Sequence, residues 1–225
     1  MIYVCSDIHG EYGAYLDFVN SILTEDDTLY VIGDVLDRGT NAIDLIQDIM
    51  QREHVVMLKG NHEKILADTL EELCGAISER EICSIITDSL AIDKIGQRET
   101  LFDFAKLNKS QQRDIIDFIN GLPLYEELEV NDKKYLLVHG GLPDFSDLPV
   151  EWYEEDDLLF GPHDYDATHY GDTTVIVGHV PTRFISGATP DEIYRQNDTI
   201  AIDCGCGFGG QLGVLCLDTD EEFYF

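Results

Sequence analysis

The sequence predicts an α/β fold, and three observations support this class. The first half alternates short apolar runs with amphipathic segments, a pattern typical of parallel strands joined by helices. The apolar runs are continuous rather than alternating, as expected for strands of a sheet covered on both faces. Further apolar runs separated by turn residues follow in the second half. At 225 residues with 44% hydrophobic residues, the chain is long enough for one large core, and we expect a single domain over 1–225.

The chain begins with a predicted β-α-β-α-β series. The strand "IYVC" (2–5) leads into a helix over 11–23, in which apolar residues recur at helical spacing. The strand "TLYVI" (28–32), a helix over 41–50 and the strand "HVVMLK" (54–59) follow. Parallel strands connected in this way have right-handed crossovers, so we expect these three strands to lie in one sheet.

The middle of the chain, from about 64 to 120, is predicted to be a lid-like helical insertion. Its clearest segment is "SQQRDIIDFING", with Ser110 as the N-cap and Gly121 just past the helix end. The tail is predicted to be a meander that turns at "GFGG" (207–210). The later strand patterns cover 125–130, 134–141, 174–179, 199–205, 211–218 and 222–225.

The net charge excludes several classes of partner. The chain has 14 Lys and Arg against 45 Asp and Glu, which gives −31 at pH 7. Such a chain is not expected to bind nucleic acid by neutralising phosphates, or to bind an anionic membrane. An anionic substrate would need a local positive feature, and a bound divalent metal is the obvious one. Most of the acidic residues are interpreted as a solubilising surface.

The sequence gives no sign of export or of membrane insertion. We find no apolar run of the roughly 20 residues that a membrane span needs. The N-terminus "MIYVCSDIHG" lacks the basic and long apolar regions of a signal peptide. The six cysteines include no C-x-x-C pair, so we expect reduced thiols and a cytoplasmic protein. The C-x-C pair of Cys204 and Cys206 is interpreted as structural.

Polar loops follow the predicted strands and offer oxygen and imidazole donors. In open α/β sheets, ligands bind beyond the carboxyl ends of the strands, so these loops are expected to converge. The mixed oxygen and nitrogen set without a thiolate favours Mn, Fe, Zn or Co. It exceeds what one structural zinc needs and fits two metals that share a carboxylate and hold a hydroxide for in-line phosphoester hydrolysis. The candidate metal ligands are Asp7, His9, Asp34, Asn61, His139 and His179.

Each short motif also has a plainer interpretation. Asp7 and His9 alone would be a satisfied pair at a strand end. Asp37 and Arg38 could form an ordinary surface ion pair, and Asn61 could be a helix cap. Other residues are given structural or surface interpretations: His54 in a strand, His163 and His169 in a surface loop, and Tyr12 and Tyr165 in the core or on the surface.

Five blocks together resemble the signature of the calcineurin-like metallophosphoesterases. They are "SDIHG", "GDVLDRG", "GNHE", "HGG" and "GHVPT", and they occur in the order found in that family. The resemblance is strongest to the phosphoprotein-phosphatase branch, which includes bacterial and phage serine/threonine phosphatases. It implies a four-layer α+β sandwich in which two mixed β-sheets are flanked by helices.

The resemblance also implies roles for the residues of these blocks. Asp7 and His9 would bind the first of two divalent metals, with manganese the first choice, and Asp34 would bridge to the second. Asn61, His139 and His179 would complete the second site. The catalytic set would be His62 as general acid, Asp37 holding its far nitrogen and Arg38 gripping the phosphate, with Glu63 supporting the ligands and with Arg38, Asn61 and His62 contacting substrate.

The chain departs from the family at two places. Ser6 stands where the first block normally has Gly. The segment "DDLLFGPHDYDATHYGD" (156–172) contains no Arg or Lys, although the branch usually has a second phosphate-binding Arg in this region. Arg183, just after "GHVPT", is a candidate replacement. The acidic loop 154–172 would also repel a phosphopeptide.

Three functions therefore remain open at the level of sequence. The first is a two-metal hydrolase of phosphomonoesters, including phosphoserine or phosphothreonine in proteins. The second is a hydrolase of dinucleoside polyphosphates or other nucleotides, and the third is an inactive phosphate-binding scaffold. The intact Asp37–Arg38 pair favours the first, and the complete ligand set together with His62 argues against the third.

Overall fold

The computed structural model describes residues 1–92, 96–142 and 148–225, and ten strands form two five-stranded sheets within these ranges. The strands are β1 (Ile2–Cys5), β2 (Thr28–Ile32), β3 (Val55–Leu58), β4 (Tyr125–Val130), β5 (Lys133–Val138), β6 (Thr173–Val177), β7 (Tyr194–Gln196), β8 (Thr199–Ala201), β9 (Gly213–Cys216) and β10 (Glu222–Tyr224).

Seven α-helices lie within the described ranges, most of them in the first half of the chain. They are α1 (Tyr12–Ser21), α2 (Ala42–Gln51), α3 (Asn61–Gly75), α4 (Glu79–Ile92), α5 (Arg98–Lys106), α6 (Lys109–Gly121) and α7 (Glu155–Phe160). Short 3₁₀ helices cover Val150–Trp152, Thr182–Phe184 and Cys206–Phe208. No helix in the described part of the chain is long and apolar enough to cross a lipid bilayer.

Both sheets are mixed, which confirms the predicted fold class. The first sheet has the order β10-β9-β1-β2-β3, and β1, β2 and β3 are parallel, as the β-α-β-α-β series requires. In this sheet β9 and β10 are antiparallel neighbours. The second sheet has the order β4-β5-β6-β8-β7, with β5, β6 and β8 parallel and with antiparallel strands at both edges.

The alternation of side chains along each strand builds the layers. Val4 packs between the sheets, in a cluster with Leu137 and Ile176 of the second sheet. Tyr3 and Cys5, on either side of Val4, point to the opposite face and pack against the helices. The outer face of the second sheet is covered by Leu142 and by residues of 150–170, including α7. The result is a sandwich of helices, sheet, sheet, and a thinner layer formed by α7 and loops.

The helices predicted between 64 and 120 form part of the large core. Leu66 and Leu70 of α3, Phe104 of α5, and Ile115 and Ile119 of α6 belong to the same apolar cluster as the outer face of the first sheet. The first of these helices begins before residue 64, at Asn61. The single domain and the lid-like role of this segment stay predictions.

The predicted ends of the last helix in this segment are wrong. The N-cap of α6 is Asn108, whose side chain accepts a hydrogen bond from the Gln111 backbone N–H. Gln111 reciprocates by accepting from the Asn108 backbone N–H at 3.2 Å, which makes a capping box. Ser110 therefore lies inside the helix, and Gly121 is its last residue.

The tail is not one meander, because its strands divide between the two sheets. β8 is parallel to β6 in the second sheet, whereas β9 and β10 extend the first sheet next to β1. The 3₁₀ helix Cys206–Phe208 makes the crossing, and Gly209 at its end has a left-handed backbone conformation (φ 73°). The edge strand β7 was not predicted, because three residues are too few to show a pattern.

Candidate active site

Loops from both sheets meet at the carboxyl ends of their parallel strands. Asp7 and His9 follow β1, and Asp34 follows β2. Asn61 and His62 begin α3, just after β3. The second sheet supplies its residues in the same way: His139 follows β5 directly, and His179 lies two residues after the end of β6. The topology therefore brings all the candidate metal ligands to one edge of the sandwich.

Many of these residues have a positive backbone φ angle, which residues other than glycine rarely adopt. A non-glycine residue with positive φ costs of order 1–3 kcal/mol, and such strain concentrates at functional sites. The surrounding structure must hold each side chain in place against this cost. The residues concerned in these loops are Asp7 (φ 53°), His9 (48°), Asp34 (54°), Asp37 (70°), Arg38 (65°) and His179 (66°).

Asp34 occupies the centre of the site. One carboxylate oxygen, Oδ2, lies 3.7 Å from His9 Nε2 and 3.8 Å from His62 Nε2. The other, Oδ1, lies 3.4 Å from His139 Nε2. Asp34 therefore belongs to two groups of potential ligand atoms, His9–Asp34–His62 and Asp34–His139–His179. Within each group, the ligand atoms lie within 4.8 Å of one another. A carboxylate placed in this way can be shared by two cations.

Asn61 lies beside the second of these groups and contacts both of its histidines. Its Oδ1 lies 2.9 Å from both His139 Nε2 and His179 Nδ1, so the three side chains converge. The interpretation of Asn61 as a helix cap is wrong, since Gly60 is the N-cap of α3 and Asn61 is its first residue. The amide oxygen is therefore free to face the two imidazoles rather than the helix backbone.

Backbone carbonyls orient two of the imidazoles. His9 Nδ1–H donates to the Leu36 carbonyl at 2.9 Å, and His139 Nδ1–H donates to the Ile32 carbonyl at 2.9 Å. These bonds leave the Nε2 atom of each ring directed at Asp34. Metal-binding histidines are held in this manner, with one nitrogen bonded to the protein and the other free for the metal.

Asp7 has a carboxylate oxygen that lacks a protein partner. Its Oδ2 accepts from the Ser6 hydroxyl and from the His179 backbone N–H, the latter at 2.9 Å. Its Oδ1 is buried, has no hydrogen-bond partner among the described residues, and lies 3.8 Å from His9 Nε2. A buried unpaired carboxylate oxygen is costly, and a bound cation would compensate it. The residues present therefore fit a divalent metal.

Burial and charge set the protonation of these residues. Burial raises the pKa of Asp7 to about 6 and lowers the pKa values of His9 and His179 to about 3 and about 4. Burial opposes charge on Asp34 too, but His139 and His62 hold the pKa of Asp34 well below its usual value. His9 and His179 are therefore neutral near pH 7, the form that binds metals.

Asp37, His62 and Arg38 form a second unit beside this cluster. Asp37 is completely buried, and its Oδ2 lies 2.8 Å from His62 Nδ1. The interpretation of Asp37 and Arg38 as a surface ion pair is therefore wrong. His62 Nε2 faces the cluster and lies 3.3 Å from Arg38 Nη2. Burial favours neutral His62, but the Asp34 and Asp37 carboxylates raise its pKa above the usual value.

Glu63 ties the loop after β2 to the start of α3. Its carboxylate accepts hydrogen bonds from four backbone N–H groups, those of Asp34 (2.9 Å), Val35 (3.0 Å), Leu36 (3.2 Å) and Gly60 (2.9 Å). Burial and the neighbouring Asp34 raise the pKa of Glu63 to about 7, while these donors oppose the rise. Glu63 thus fixes the backbone on both sides of Asp34.

Comparison with known proteins decides the family. The family model described as calcineurin-like phosphoesterase matches residues 1–205. The chain belongs to this family. It is accordingly a hydrolase that acts on phosphoester bonds, and divalent metals are implied both by the family and by the donor groups around Asp34.

The relatives of this phosphoesterase include proteins named as protein phosphatases and proteins named as dinucleoside tetraphosphatases. The serine/threonine-protein phosphatase 2 of Escherichia coli (strain K12) is 27% identical over 217 residues, covering 94% of this chain and 90% of the relative. The asymmetrical bis(5′-nucleosyl)-tetraphosphatase PrpE of Oceanobacillus iheyensis is 24% identical over 201 residues, covering 80% and 70%. Both kinds of relative thus match at similar identity.

Solved structures show the same fold. A crystal structure of a candidate diadenosine tetraphosphatase matches with a TM-score of 0.65 at 18% identity, covering 100% of this chain and 92% of the other. A protein serine/threonine phosphatase from Saccharomyces cerevisiae matches with a TM-score of 0.57 at 16% identity, covering 95% and 71%. At these identities the likeness concerns the fold alone.

One buried acid of the phosphoesterase site was missed by the sequence analysis. Asp203 is 2% exposed and lies just after β8. Its Oδ1 accepts from the Gly205 backbone N–H at 2.9 Å, and burial together with the Asp7 carboxylate raises its pKa well above the usual value. The signal was present, because Asp203 follows the apolar run "TIAI" much as Asp7 follows "IYVC".

The prediction that His163 and His169 lie on a surface loop is wrong, since both are buried. His163 Nδ1 accepts from the Leu142 backbone N–H at 3.2 Å, and its Nε2–H donates to Thr199 Oγ1 at 2.8 Å. His163 thereby connects the loop after His139 to β8. The predicted structural role of His54 also fails, because that side chain is exposed.

The candidate replacement for the second phosphate-binding arginine has other partners. Arg183 Nε donates to Asp191 Oδ1 at 2.6 Å, and its Nη1 donates to the Phe208 carbonyl at 3.4 Å. It thus braces the loop after β8. The acidic segment also pairs with nearby cations, since Lys64 Nζ lies 2.9 Å from a Glu155 oxygen and 2.6 Å from an Asp156 oxygen.

Proposed function

We propose that this phosphoesterase binds two divalent metal ions and hydrolyses phosphomonoesters by direct in-line attack of water, without a phosphoenzyme. The observation that carries the proposal is the position of Asp34 between two groups of donor atoms. Asp7, His9 and Asp34 would hold one ion, and Asp34, Asn61, His139 and His179 the other. Manganese is the first choice because the donors are oxygen and imidazole nitrogen, and iron, zinc and cobalt are alternatives.

When bound, two such ions polarise the phosphoryl group and lower the pKa of water to near neutrality. The remaining steps belong to the chain itself. His62 holds a proton at Nε2 and delivers it to the leaving alkoxide, while Asp37 accepts the hydrogen bond from Nδ1–H and stabilises the charged ring. Arg38 presents its planar guanidinium to two phosphate oxygens.

The substrate class divides into two candidates. The first is a phosphomonoester such as phosphoserine or phosphothreonine in a protein. The intact Asp37–Arg38 pair and the E. coli relative favour this class. The second is a nucleotide or dinucleoside polyphosphate, which the tetraphosphatase relatives favour. The acidic segment around Glu155 and Asp156 argues against a phosphopeptide substrate. These carboxylates form ion pairs with the nearby lysines, whose positive charge is then not available to a phosphate group.

The test of the reaction is hydrolysis of p-nitrophenyl phosphate by the purified protein with added manganese. Activity should disappear on chelation and return with the metal, and Asp34→Asn should remain inactive at any manganese concentration. Absence of turnover with manganese, iron, zinc and cobalt alike would contradict the proposal and favour the inactive scaffold. Comparing a phosphoserine peptide with diadenosine tetraphosphate then separates the two substrate classes.

A further inference from the structure

Two exposed phenylalanines stand together at the border of the site. Phe184 is 69% exposed and Phe208 is 47% exposed. Their rings pack edge to face, with centroids 6.5 Å apart and an interplanar angle of 88°. Single exposed apolar residues are common and need no explanation. A pair of exposed aromatic rings on two loops of an active site is a different case, because it forms a surface on which a flat ligand can stack.

Both rings lie close in the chain or in space to residues of the proposed site. Phe208 follows Gly207, where the close approach leaves no room for a side chain, since a Cβ atom there would lie 2.6 Å from the Cβ of His9. Arg38, the proposed phosphate-binding residue, has its Cζ 4.0 Å from the centroid of the Phe208 ring. Phe184 ends the 3₁₀ helix that begins three residues after His179.

The backbone beneath the two rings is held in place. Arg183 bonds both Asp191 and the Phe208 carbonyl, as described above. The backbone N–H of the buried Thr182 donates to the Asp203 carbonyl at 2.9 Å, and that of Phe184 donates to the Pro181 carbonyl at 2.8 Å. A surface already held in its binding conformation loses less entropy when a ligand binds.

We propose that Phe184 and Phe208 bind the nucleobase of a nucleotide whose phosphate lies at Arg38. The inference rests on the proposed function, because it takes the phosphate position from Arg38. Every nucleobase has a flat face that stacks on aromatic side chains. Stacking needs no positive charge, which suits a chain with 14 Lys and Arg against 45 Asp and Glu.

The spacing favours a base over an aromatic ring esterified directly to phosphorus. The Arg38 guanidinium covers one face of Phe208 and separates that ring from the phosphate position. The centroid of the Phe184 ring lies 6.5 Å from that of Phe208, and Phe184 is the more exposed of the two. A ribose between phosphate and base gives the reach that this arrangement requires, whereas the ring of a phosphotyrosine would remain beside the phosphorus.

The test compares two ligands that differ only in the base. Adenosine 5′-monophosphate and ribose 5-phosphate, each as the phosphonate in which a methylene group replaces the ester oxygen, are titrated calorimetrically into the manganese-loaded protein, so that binding is measured without hydrolysis. We expect the nucleotide to bind about tenfold more tightly, and Phe184→Ala to remove most of this advantage while leaving ribose 5-phosphate affinity unchanged. Phe208→Leu should act in the same direction. Phe102→Ala is the matched control, because Phe102 is 40% exposed and has Arg98 over its ring at 5.7 Å.

Three results would overturn the inference. One is equal affinity of the native protein for the two ligands. Another is a Phe184→Ala effect of the same size on both, which would indicate a structural role. The third is a preference for O-phosphotyrosine over O-phosphoserine without one for the nucleotide. If base-dependent binding is found but no phosphoester is hydrolysed, the proposed function fails while the stacking site stands.

Discussion

At the scale of single residues, the environment of His62 gives its two nitrogens different tasks. Nδ1 lies 2.8 Å from the buried Asp37 carboxylate, so only Nε2 can face a leaving group. We expect His62→Asn to lower kcat by about 10²–10⁴-fold, the usual contribution of a general acid, while manganese affinity is retained. Phosphatase kinetics and a manganese titration measure the two quantities, and His54→Asn at an exposed position is the control.

If His62→Asn instead lost affinity for manganese, His62 would be a metal ligand. Its position in the donor group with His9 and Asp34 is compatible with that role. Asp37→Asn gives a further check. Because Asp37 acts through the ring of His62, its replacement should cost less than that of His62. The double variant should be no slower than His62→Asn alone, since the effects of residues that act as a unit are not additive. Additive losses would contradict the shared role.

Glu63 offers a test of stability rather than of catalysis. The Glu63 carboxylate accepts hydrogen bonds from four backbone N–H groups. In Glu63→Gln, the amide nitrogen replaces one of the two accepting oxygens, and because it is a donor it cannot accept from the N–H groups that it faces. We expect a loss of about 2–3 kcal/mol in the free energy of unfolding, the size of hydrogen bonds to a charged group. Urea denaturation of the manganese-loaded protein at pH 8, above the Glu63 pKa of about 7, measures this loss. Glu72→Gln, on the exposed side of the same helix, should change stability little, and an equal loss there would contradict the argument.

The sequence is sufficient to identify site residues that lie just after a predicted strand. Asp7, Asp34 and His139 were found in this way, and the structure brings them together. Asp203 has the same signal but belongs to no recognised block, so it was passed over. His163 could not have been found, because its burial depends on Leu142 and on Thr199, which lies 36 residues further along the chain.

At the scale of secondary-structure elements, local patterns predict the strands but not the sheet to which each belongs. The early strands were placed correctly because the helices between them require parallel neighbours. β8 and β9 both show apolar runs, yet β8 joins the second sheet and β9 the first. This division depends on long-range packing, which a run of side chains does not encode. It matters for function, because the crossing segment places Phe208 beside Arg38.

The link between the loop after β5 and strand β8 predicts a pH effect on stability. Burial lowers the pKa of His163 to about 3, below the value near 6.5 of an unfolded histidine. The unfolded state therefore binds a proton first as pH falls below 6.5, and stability is lost towards acid pH. The contribution of His163 is fully present above pH 6.5 and falls by about 1.4 kcal/mol at pH 5.5.

Comparison with His163→Gln isolates this contribution. Urea denaturation at pH 8 and pH 5.5 should show the stability difference between native protein and variant shrinking by about 1.4 kcal/mol at the lower pH. Other histidines titrate in both proteins, so their effects cancel. His54→Gln, at an exposed site, is the control for replacing a histidine by glutamine. A pH-independent difference for His163→Gln would mean that the buried ring accepts a proton without cost.

At the scale of the whole molecule, the dominant feature is negative charge. The net charge of −31 includes the carboxylates of Asp7, Asp34 and Asp203, which are buried close to one another. Burial raises the pKa of Asp7 to about 6, and the Asp34 carboxylate contributes to that rise. Folding thus gathers like charges, which a bound divalent cation would offset. The cost of this arrangement couples the stability of the fold to metal binding.

Removal of the metal should therefore lower the melting temperature of the entire protein. A ligand that binds only the folded state at 100 times its Kd adds about 2.7 kcal/mol, which for a chain of this length corresponds to about 5–10 °C. We expect a shift of this size when chelator is replaced by manganese in a thermal scan. Asp44→Asn, at an exposed position on α2, should keep the full shift. Asp34→Asn should lose it, because Asp34 belongs to both donor groups, and a melting temperature unaffected by manganese in the native protein would contradict the coupling.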